Sequence, residues 1–204
     1  MRQLEVLVEE PSAKAALDIL LPKIVQGNAR FAVRNFGSKY KLLKELSKRL
    51  AGYAVQIKRG ENLRILVLID QDSDDCMALK QNLENVALEC GLATKSHPDA
   101  QGCFVVVNRV VVEELESWFI GDPAALRRAF PKLPPANNKG IFAKPDNQNG
   151  KAWESLHRFL KKHGIYKNHY PKIEAAKKIS PFIDLGRNRS PSFQQFLVGI
   201  GALL

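Results

Sequence analysis

A nearly continuous apolar run at residues 63–69 constrains the fold of this chain more than any other feature of its sequence. Its seven residues read LRILVLI, so that Arg64 is the single polar member. A run of this length, rich in branched side chains, is typical of a strand that is buried on both faces of a parallel sheet. Parallel strands need crossover connections, which are usually helical. The run therefore predicts an α/β protein.

Strand-like and helix-like segments alternate on both sides of this run. Between the strand-like segments, apolar residues recur at the three- and four-residue spacing of amphipathic helices. This alternation predicts a largely parallel sheet flanked by helices, and the 204 residues suit one globular domain or a domain with a small appendage. The predicted strands lie at residues 4–8, 30–36, 63–69 and 103–107.

Basic and acidic side chains are unevenly distributed along the chain. Residues 1–122 contain 16 Lys or Arg and 17 Asp or Glu, whereas residues 123–204 contain 15 and 4. Four prolines, two glycines and four asparagines give residues 131–150 the composition of a loop. We therefore predict an α/β domain at residues 1–122, a loop or linker at 123–150, and a basic helical region at 151–204 packed on the domain.

The charge distribution within the first domain indicates a class of substrate. Residues 30–64 contain 10 basic and 2 acidic side chains, whereas residues 65–122 contain 3 and 11. A basic surface attracts polyanions such as nucleic acid, and an acidic centre within it needs metal ions to approach phosphate. The pattern predicts a metal-dependent enzyme acting on phosphates. The alternative is that the basic side chains only solvate helix faces.

Acidic residues follow two of the predicted strands. Glu9 and Glu10 follow the first strand, and residues 70–75 follow the apolar run. If these two strands are neighbours, their ends lie about 5 Å apart, and Glu9, Asp70 and Asp72 could share one ion. Clustered carboxylates repel one another unless a cation neutralises them, and Mg²⁺ or Mn²⁺ suits such ligands. We therefore predict a divalent metal site.

The basic residues predict nucleic acid, DNA or RNA, as a partner. Lys14 lies close in sequence to the first acidic pair, and residues 151–178 alternate basic with aromatic side chains. An ordinary amphipathic helix explains many of these residues equally well. The candidate nucleic-acid contacts are Lys14, Lys151, Lys161, Lys162, Lys177, Lys178, Arg187 and Arg189.

Residues 8–12 (VEEPS) and 69–72 (IDQD) resemble the Toprim domain of topoisomerases, primases and overcoming-lysogenization-defect nucleases. In that family a Glu closes the first strand and an Asp-x-Asp closes a later one, and together they bind magnesium for phosphodiester cleavage or transfer. The resemblance implies a Toprim-like, Rossmann-like fold in which Glu9, Asp70 and Asp72 are catalytic metal ligands. A Glu-Glu pair replaces the usual Glu-Gly, so either glutamate could match, and the position of Ser12 favours Glu9.

More narrowly, the chain resembles an uncharacterised bacterial family of Toprim-like proteins that are often encoded beside ATPases in mobile-element or phage-defence settings. This resemblance implies that Glu114 or Glu116 adds an acidic group to the metal site, and that a separately encoded ATPase is a partner. The motifs that carry it are residues 9–14 (EEPSAK), 70–72 (DQD) with Asp75 and Cys76, 114–119 (ELESWF) with Asp122, and 190–193 (SPSF).

Together, these observations predict a magnesium-dependent nuclease that acts with a partner ATPase against foreign DNA. One alternative is a non-catalytic subunit of such a system that binds nucleic acid or a partner. A less favoured one is a haloacid-dehalogenase-type phosphatase with Asp70 as nucleophile and Asp72 as general acid, although that motif usually closes a chain's first strand. No Gly-x-x-x-x-Gly-Lys loop is present, so ATP hydrolysis would belong to the partner.

The expected location is the cytoplasm. The longest apolar run, residues 196–204, has nine residues and contains two glycines, whereas a membrane span needs about 20. Acidic residues interrupt the first apolar stretch, which is not the pattern of a secretory signal. Cys76, Cys90 and Cys103 form no Cys-x-x-Cys pair, which argues against a disulfide framework or a thiolate zinc site.

Overall fold

Four parallel strands form the central sheet, and their spatial order is β2-β1-β3-β4. The computed structural model describes residues 1–148 and 150–204. The parallel sheet with helical connections confirms the α/β class. From β1 the chain continues to β2 on one side, and β3 and β4 lie on the other side. The gap between β1 and β3 is therefore the topological switch point, where open α/β sheets bind ligands. The strands are β1 (Arg2–Val8), β2 (Ala29–Asn35), β3 (Leu63–Asp70) and β4 (Val106–Val111).

Helices cover both faces of the sheet. Side chains of Ser38, Asp75, Asp122 and Ser190 cap the helices that follow them, each by accepting a backbone N–H from the first turn. No helix in the described part of the chain is long and apolar enough to cross a membrane. The helices are α1 (Pro11–Val25), α2 (Lys39–Lys58), α3 (Cys76–Glu89), α4 (Glu116–Ile120), α5 (Pro123–Ala129), α6 (Ala152–Lys162), α7 (Lys172–Ile179) and α8 (Pro191–Leu203), and 3₁₀ turns lie at Gly140–Phe142 and Ser180–Phe182.

The alternation of side chains along β3 explains the apolar run. Ile65, Val67 and Ile69 join the core beneath α2 and α3. Leu66 and Leu68 join the core on the other face, together with α1 and the C-terminal helices. Because both faces of a central parallel strand are covered, apolar side chains fill every position of the strand except Arg64 near its start and Asp70 at its end.

The C-terminal helices complete the core on the α1 face. Helix α7 packs on α1 and α8 packs on β4. The fully buried Trp118 lies 5.0 Å from Phe193 and 4.7 Å from Phe196, measured between ring centroids. Residues on both sides of the predicted linker therefore contribute to one apolar cluster.

The segment 123–150, for which a linker is predicted, begins with a helix. Helix α5 occupies its first seven residues, because the buried Asp122 caps it, Pro123 occupies its first turn, and its apolar face is buried. Between α5 and α6, the described residues form irregular chain with one 3₁₀ turn. Asn149, which belongs to the predicted linker, lies outside the described residues.

Candidate active site

Two buried acidic residues, Glu9 and Asp70, lie side by side at the C-terminal ends of β1 and β3. Glu9 follows β1 directly and Asp70 ends β3, and the register pairs Val8 with Leu68. Oε1 of Glu9 accepts a hydrogen bond of 2.7 Å from the backbone N–H of Asp70. Glu9 is 5% exposed and Asp70 is 8% exposed. The adjacency on which the predicted site depends is therefore present.

Burial and mutual repulsion raise the pKa values of both groups. Burial raises the pKa of Glu9 to about 7, and the charges of Asp72 and Glu10 act in the same direction. Burial also raises the pKa of Asp70 well above its ordinary value, and the neighbours that add to this shift are Glu9, Glu116, Glu10 and Asp72. The charged neighbours that act most strongly on Asp70 are thus all carboxylates. Such a cluster is short of positive charge.

Asp72 is held by a lysine at the rim of the cluster. Its backbone has the left-handed φ of 52°, and its N–H donates to the backbone oxygen of Glu113 at 2.9 Å. Its Oδ2 lies 2.7 Å from Nζ of Lys39, which lies 2.9 Å from Oδ2 of Asp74. Among the described residues, no three His, Cys, Asp or Glu side chains are grouped so that they could hold a metal ion. Asp72 would have to exchange Lys39 for the ion.

Glu114 and Glu116, which lie between β4 and the first turn of α4, extend the acidic cluster. They are 3% and 1% exposed. Oε2 of Glu114 accepts the backbone N–H of Trp153 at 3.0 Å. Oε1 of Glu116 is buried without a hydrogen-bond partner in the described part of the chain. Burial raises the pKa of Glu116 to about 7, and the charge of Lys172 opposes this shift.

Glu10 differs from Glu9 in its partners. Nζ of Lys172, the first residue of α7, lies 3.2 Å from Oε2 of Glu10. The same oxygen accepts a hydrogen bond of 3.0 Å from the hydroxyl of Ser12. Glu9 instead faces Asp70, so the structure brings the first of the two glutamates against the later strand.

Three residues that contact this cluster were not predicted from the sequence: Lys39, Lys172 and Glu113. The two lysines begin helices that contain several other lysines, so their spacing gives no signal. Glu113 has a left-handed φ of 60°, and its Oε1 accepts the backbone N–H of Gln148 at 2.6 Å. Periodicity does not reveal a non-glycine residue with positive φ two positions after a strand, because neither its conformation nor its contact follows a repeat.

The basic residues predicted to contact nucleic acid lie on several surfaces. Lys14 pairs with Asp18 at 2.8 Å, and Arg187 makes two hydrogen bonds of 2.9 Å to the buried Asp122. Nζ of Lys178 lies 4.8 Å from the centroid of an aromatic ring. The others are exposed and have no ion-pair partner within 4.0 Å among the described residues: Lys151, Lys161, Lys162, Lys177 and Arg189.

One family model matches the chain. Its description is Domain of unknown function (DUF4276), and the match runs from residue 8 to residue 201. The matched region includes every residue of the acidic cluster. The comparisons with curated proteins and with solved structures found no match.

Proposed function

The chain belongs to the DUF4276 family, and we propose that it is a Toprim-like nuclease that uses Mg²⁺ or Mn²⁺ to hydrolyse phosphodiester bonds in DNA or RNA. The observation that carries this proposal is the buried pair Glu9 and Asp70, joined by a 2.7 Å hydrogen bond between adjacent strands. The pair lies at the switch point of the sheet, where α/β proteins bind ligands. The spacing of VEEPS and IDQD along the chain supports the Toprim assignment.

The chemistry of the donor set suits a hard divalent cation, although Asp72 would first have to leave Lys39 and join Glu9 and Asp70. Mg²⁺ prefers carboxylate oxygens and keeps several coordination positions for water and phosphate. Glu9, Asp70 and Asp72 would hold the ion, since repulsion among their carboxylates is what a cation would relieve. When bound, the ion would act as a Lewis acid toward the phosphodiester and would activate water. Glu114 and Glu116 add negative charge on the β4 side.

The protein's own groups set the charge balance of this site. Lys39 Nζ contacts Asp74 and the backbone oxygen of Gln71 as well as Asp72, so it has two further partners when Asp72 turns to another ligand. Lys172 pairs with Glu10 and limits the rise in the pKa of Glu116. Lys39 lies in α2, which packs on β3, and Lys172 lies in α7, which packs on α1, so the two lysines balance the carboxylates from opposite faces of the sheet.

Partners are part of the same proposal. The candidate nucleic-acid contacts are the eight basic residues predicted from the sequence: Lys14, Lys151, Lys161, Lys162, Lys177, Lys178, Arg187 and Arg189. The resemblance to Toprim-like proteins encoded beside ATPases supports a separate ATPase as partner, a cytoplasmic location and a role against foreign DNA.

A second function is a non-catalytic subunit that binds nucleic acid or a partner. The observation that favours it is the ion pairing of Asp72 with Lys39 and of Glu10 with Lys172, which already neutralises part of the cluster. The phosphatase alternative, with Asp70 as nucleophile, is weaker, because β3 is the third strand along the chain rather than the first.

Cleavage assays test the proposal. Supercoiled plasmid, single-stranded DNA and RNA are incubated with Mg²⁺ or Mn²⁺ and with wild type, the double variant Asp70→Asn/Asp72→Asn, or the control Glu61→Gln/Glu89→Gln. The control removes the same charge from two exposed positions away from the cluster. We expect metal-dependent cleavage by wild type and control, and none by the double variant. Equal cleavage by all three proteins would contradict the proposal.

If the wild type shows no cleavage, nucleic-acid binding by the same proteins tests the subunit function. If the wild type binds nucleic acid but cuts none of the substrates, and the double variant binds equally well, the subunit function is favoured. Thermal unfolding of each protein, followed by circular dichroism, shows whether the variants remain folded.

A further inference from the structure

A basic groove runs along α6 on the side of the helix that faces residues 140–148. We call it the α6 groove. Its volume is about 700 Å³, and it is concave and open to solvent. Its lining includes the side chains of Lys144, Gln148, Ser155, Arg158, Phe159 and Lys162.

The charge in this groove is of one sign. Lys144, Arg158 and Lys162 are exposed, and none of them has an acidic partner within 4.0 Å in the part of the chain that the structure describes. No Asp or Glu is among the lining residues. By contrast, a groove beside β2 contains the acidic Glu45, and two of its four cations, Lys14 and Arg34, are paired with carboxylates. The α6 groove is therefore the better site for an anion.

The spacing of the residues on α6 gives the groove its length. Ser155, Arg158, Phe159 and Lys162 follow the i, i+3, i+4, i+7 pattern, so they share one face of the helix. At 1.5 Å per residue, this face extends for about 10 Å. A stacked strand rises about 3.4 Å per nucleotide, so the face matches about three nucleotides. The half-buried ring of Phe159 offers an aromatic surface beside the cations.

One end of the groove lies beside the acidic cluster. The backbone N–H of Gln148, which lines the groove, donates to Glu113 at 2.6 Å, and the backbone oxygen of Glu113 accepts from Asp72. The first turn of α6 contacts Glu114 through the N–H of Trp153. A chain lying along α6 therefore points toward the carboxyl ends of the strands.

We infer that the α6 groove binds the phosphate backbone of a single nucleic-acid strand and directs that strand to the acidic cluster. The inference rests on the proposed nuclease function and specifies the path of its substrate. The unpaired cations contact phosphates, and Phe159 contacts a base. Lys144 and Arg158 are not among the sequence-predicted contacts, whereas Lys162 is.

Fluorescence anisotropy with a labelled 12-nucleotide DNA strand tests this path. The measurement is made in EDTA, so that binding is independent of metal and of cleavage. Lys144→Gln/Arg158→Gln/Lys162→Gln is compared with Lys44→Gln/Lys48→Gln/Lys58→Gln, which removes the same charge from exposed positions of α2 on the opposite face of the sheet.

We expect the groove variant to bind at least about tenfold more weakly than wild type near 0.1 M salt, and the α2 variant to bind nearly as wild type. The slope of log affinity against log salt should fall by about 2 in the groove variant, because each single-strand phosphate contact contributes about 0.7. In the single variant Arg158→Gln, the slope of log affinity against log salt should fall by about 0.7. The thermal unfolding midpoints should stay within a few degrees of wild type, because the substituted side chains are exposed.

Two results would overturn the inference. Equal losses in both triple variants would mean that net charge alone governs binding. If a free mononucleotide displaced the labelled strand at a concentration similar to that of the strand itself, the groove would be a site for a small phosphate-bearing ligand. Weaker binding by the groove variant combined with no cleavage by wild type would instead retain the groove and reject the proposed chemistry.

Discussion

Lys39, the first residue of α2, joins that helix to two carboxylates that follow β3. Its Nζ contacts Asp72 and Asp74, and its charge lowers the pKa of Glu9. The lysine therefore stabilises the cluster, and under the proposed function it would compete with a metal ion for Asp72. The same side chain would have opposite effects on stability and on metal affinity.

Replacement of Lys39 by Met separates these effects. We expect the metal-free variant to lose about 1 kcal/mol of unfolding free energy, because partly exposed ion pairs of this kind contribute about that much. Half-saturation with Mg²⁺ should need a roughly tenfold lower concentration, since a competing positive charge is gone. Calorimetric titration and thermal unfolding at several Mg²⁺ concentrations measure both quantities. Lys41→Met, an exposed neighbour on α2, is the control, and an identical response of the two variants would reject this role for Lys39.

The raised pKa of Glu9 predicts the pH dependence of stability in the metal-free protein. Its carboxyl titrates near 7 in the folded chain but near 4.5 when unfolded. Between these values the folded state holds the proton more tightly, so this stabilisation is complete below about pH 4.5 and is lost as the pH rises through 7. Its magnitude is on the order of 3 kcal/mol.

Urea unfolding in EDTA at pH 5 and pH 8 measures this effect. The wild type should lose more unfolding free energy between the two pH values than Glu9→Gln, because the variant cannot release that proton. Glu61→Gln should follow the wild type, since Glu61 is exposed. If wild type and Glu9→Gln lost the same unfolding free energy between pH 5 and pH 8, the pKa of Glu9 would not be raised in the folded protein.

At the scale of elements, α8 and β4 approach closely at one glycine. A Cβ placed on Gly199 would lie 2.9 Å from Nε of Arg109 and 3.1 Å from Cγ1 of Val107, whereas one placed on Gly201 has no atom within 4 Å. Nε of Arg109 also donates to the backbone oxygen of Gln195 in α8 at 2.8 Å. The glycine thus lets the last helix lie directly on the edge strand.

The two glycines form a matched pair for mutation. Gly201→Ala should stabilise the protein by about 0.5–1 kcal/mol, because alanine is the better helix former. Gly199→Ala should destabilise it by about 1–3 kcal/mol, since the added methyl group displaces Arg109 and Val107. Chemical denaturation of both variants gives the comparison. Equal stabilisation by the two substitutions would show that α8 does not pack closely on β4.

At the scale of the whole molecule, the C-terminal region is part of the core. Helices α7 and α8 pack on α1 and β4, and Trp118 lies against two aromatic rings of α8. Removing residues 123–204 would expose the apolar face that α1 and the sheet present to them. This apolar face would be larger than the apolar patches that a monomeric protein usually exposes.

A fragment of residues 1–122 tests this organisation. We expect it to lack a cooperative thermal transition and to aggregate, because nearly half of the buried residues of the core cluster on the α1 face are missing. Circular dichroism and size-exclusion chromatography of the fragment and of the full chain make the comparison. A monomeric fragment that unfolds cooperatively would identify residues 1–122 as an independent domain.

The sequence by itself determined the class of the fold and the residues at the strand ends. Periodicity and apolar runs report local burial, so the buried β3, the capped start of α8 at Ser190 and the position of Glu9 and Asp70 after strands could all be predicted. These features depend on a few consecutive residues. The order of the strands depends on the whole chain, so the sequence predicts the site only on the condition that β1 and β3 are neighbours.

The tertiary structure alone decided which groups meet. Glu9 and Asp70 are 61 positions apart, Glu10 and Lys172 are 162 apart, and their contacts depend on strand order and helix packing. The exposure of Asp72, its pairing with Lys39 and the groove along α6 arise in the same way. A local pattern carries no information about such distant pairs, because many chain paths satisfy the same periodicity. The charge balance of the site is thus a property of the fold rather than of any motif.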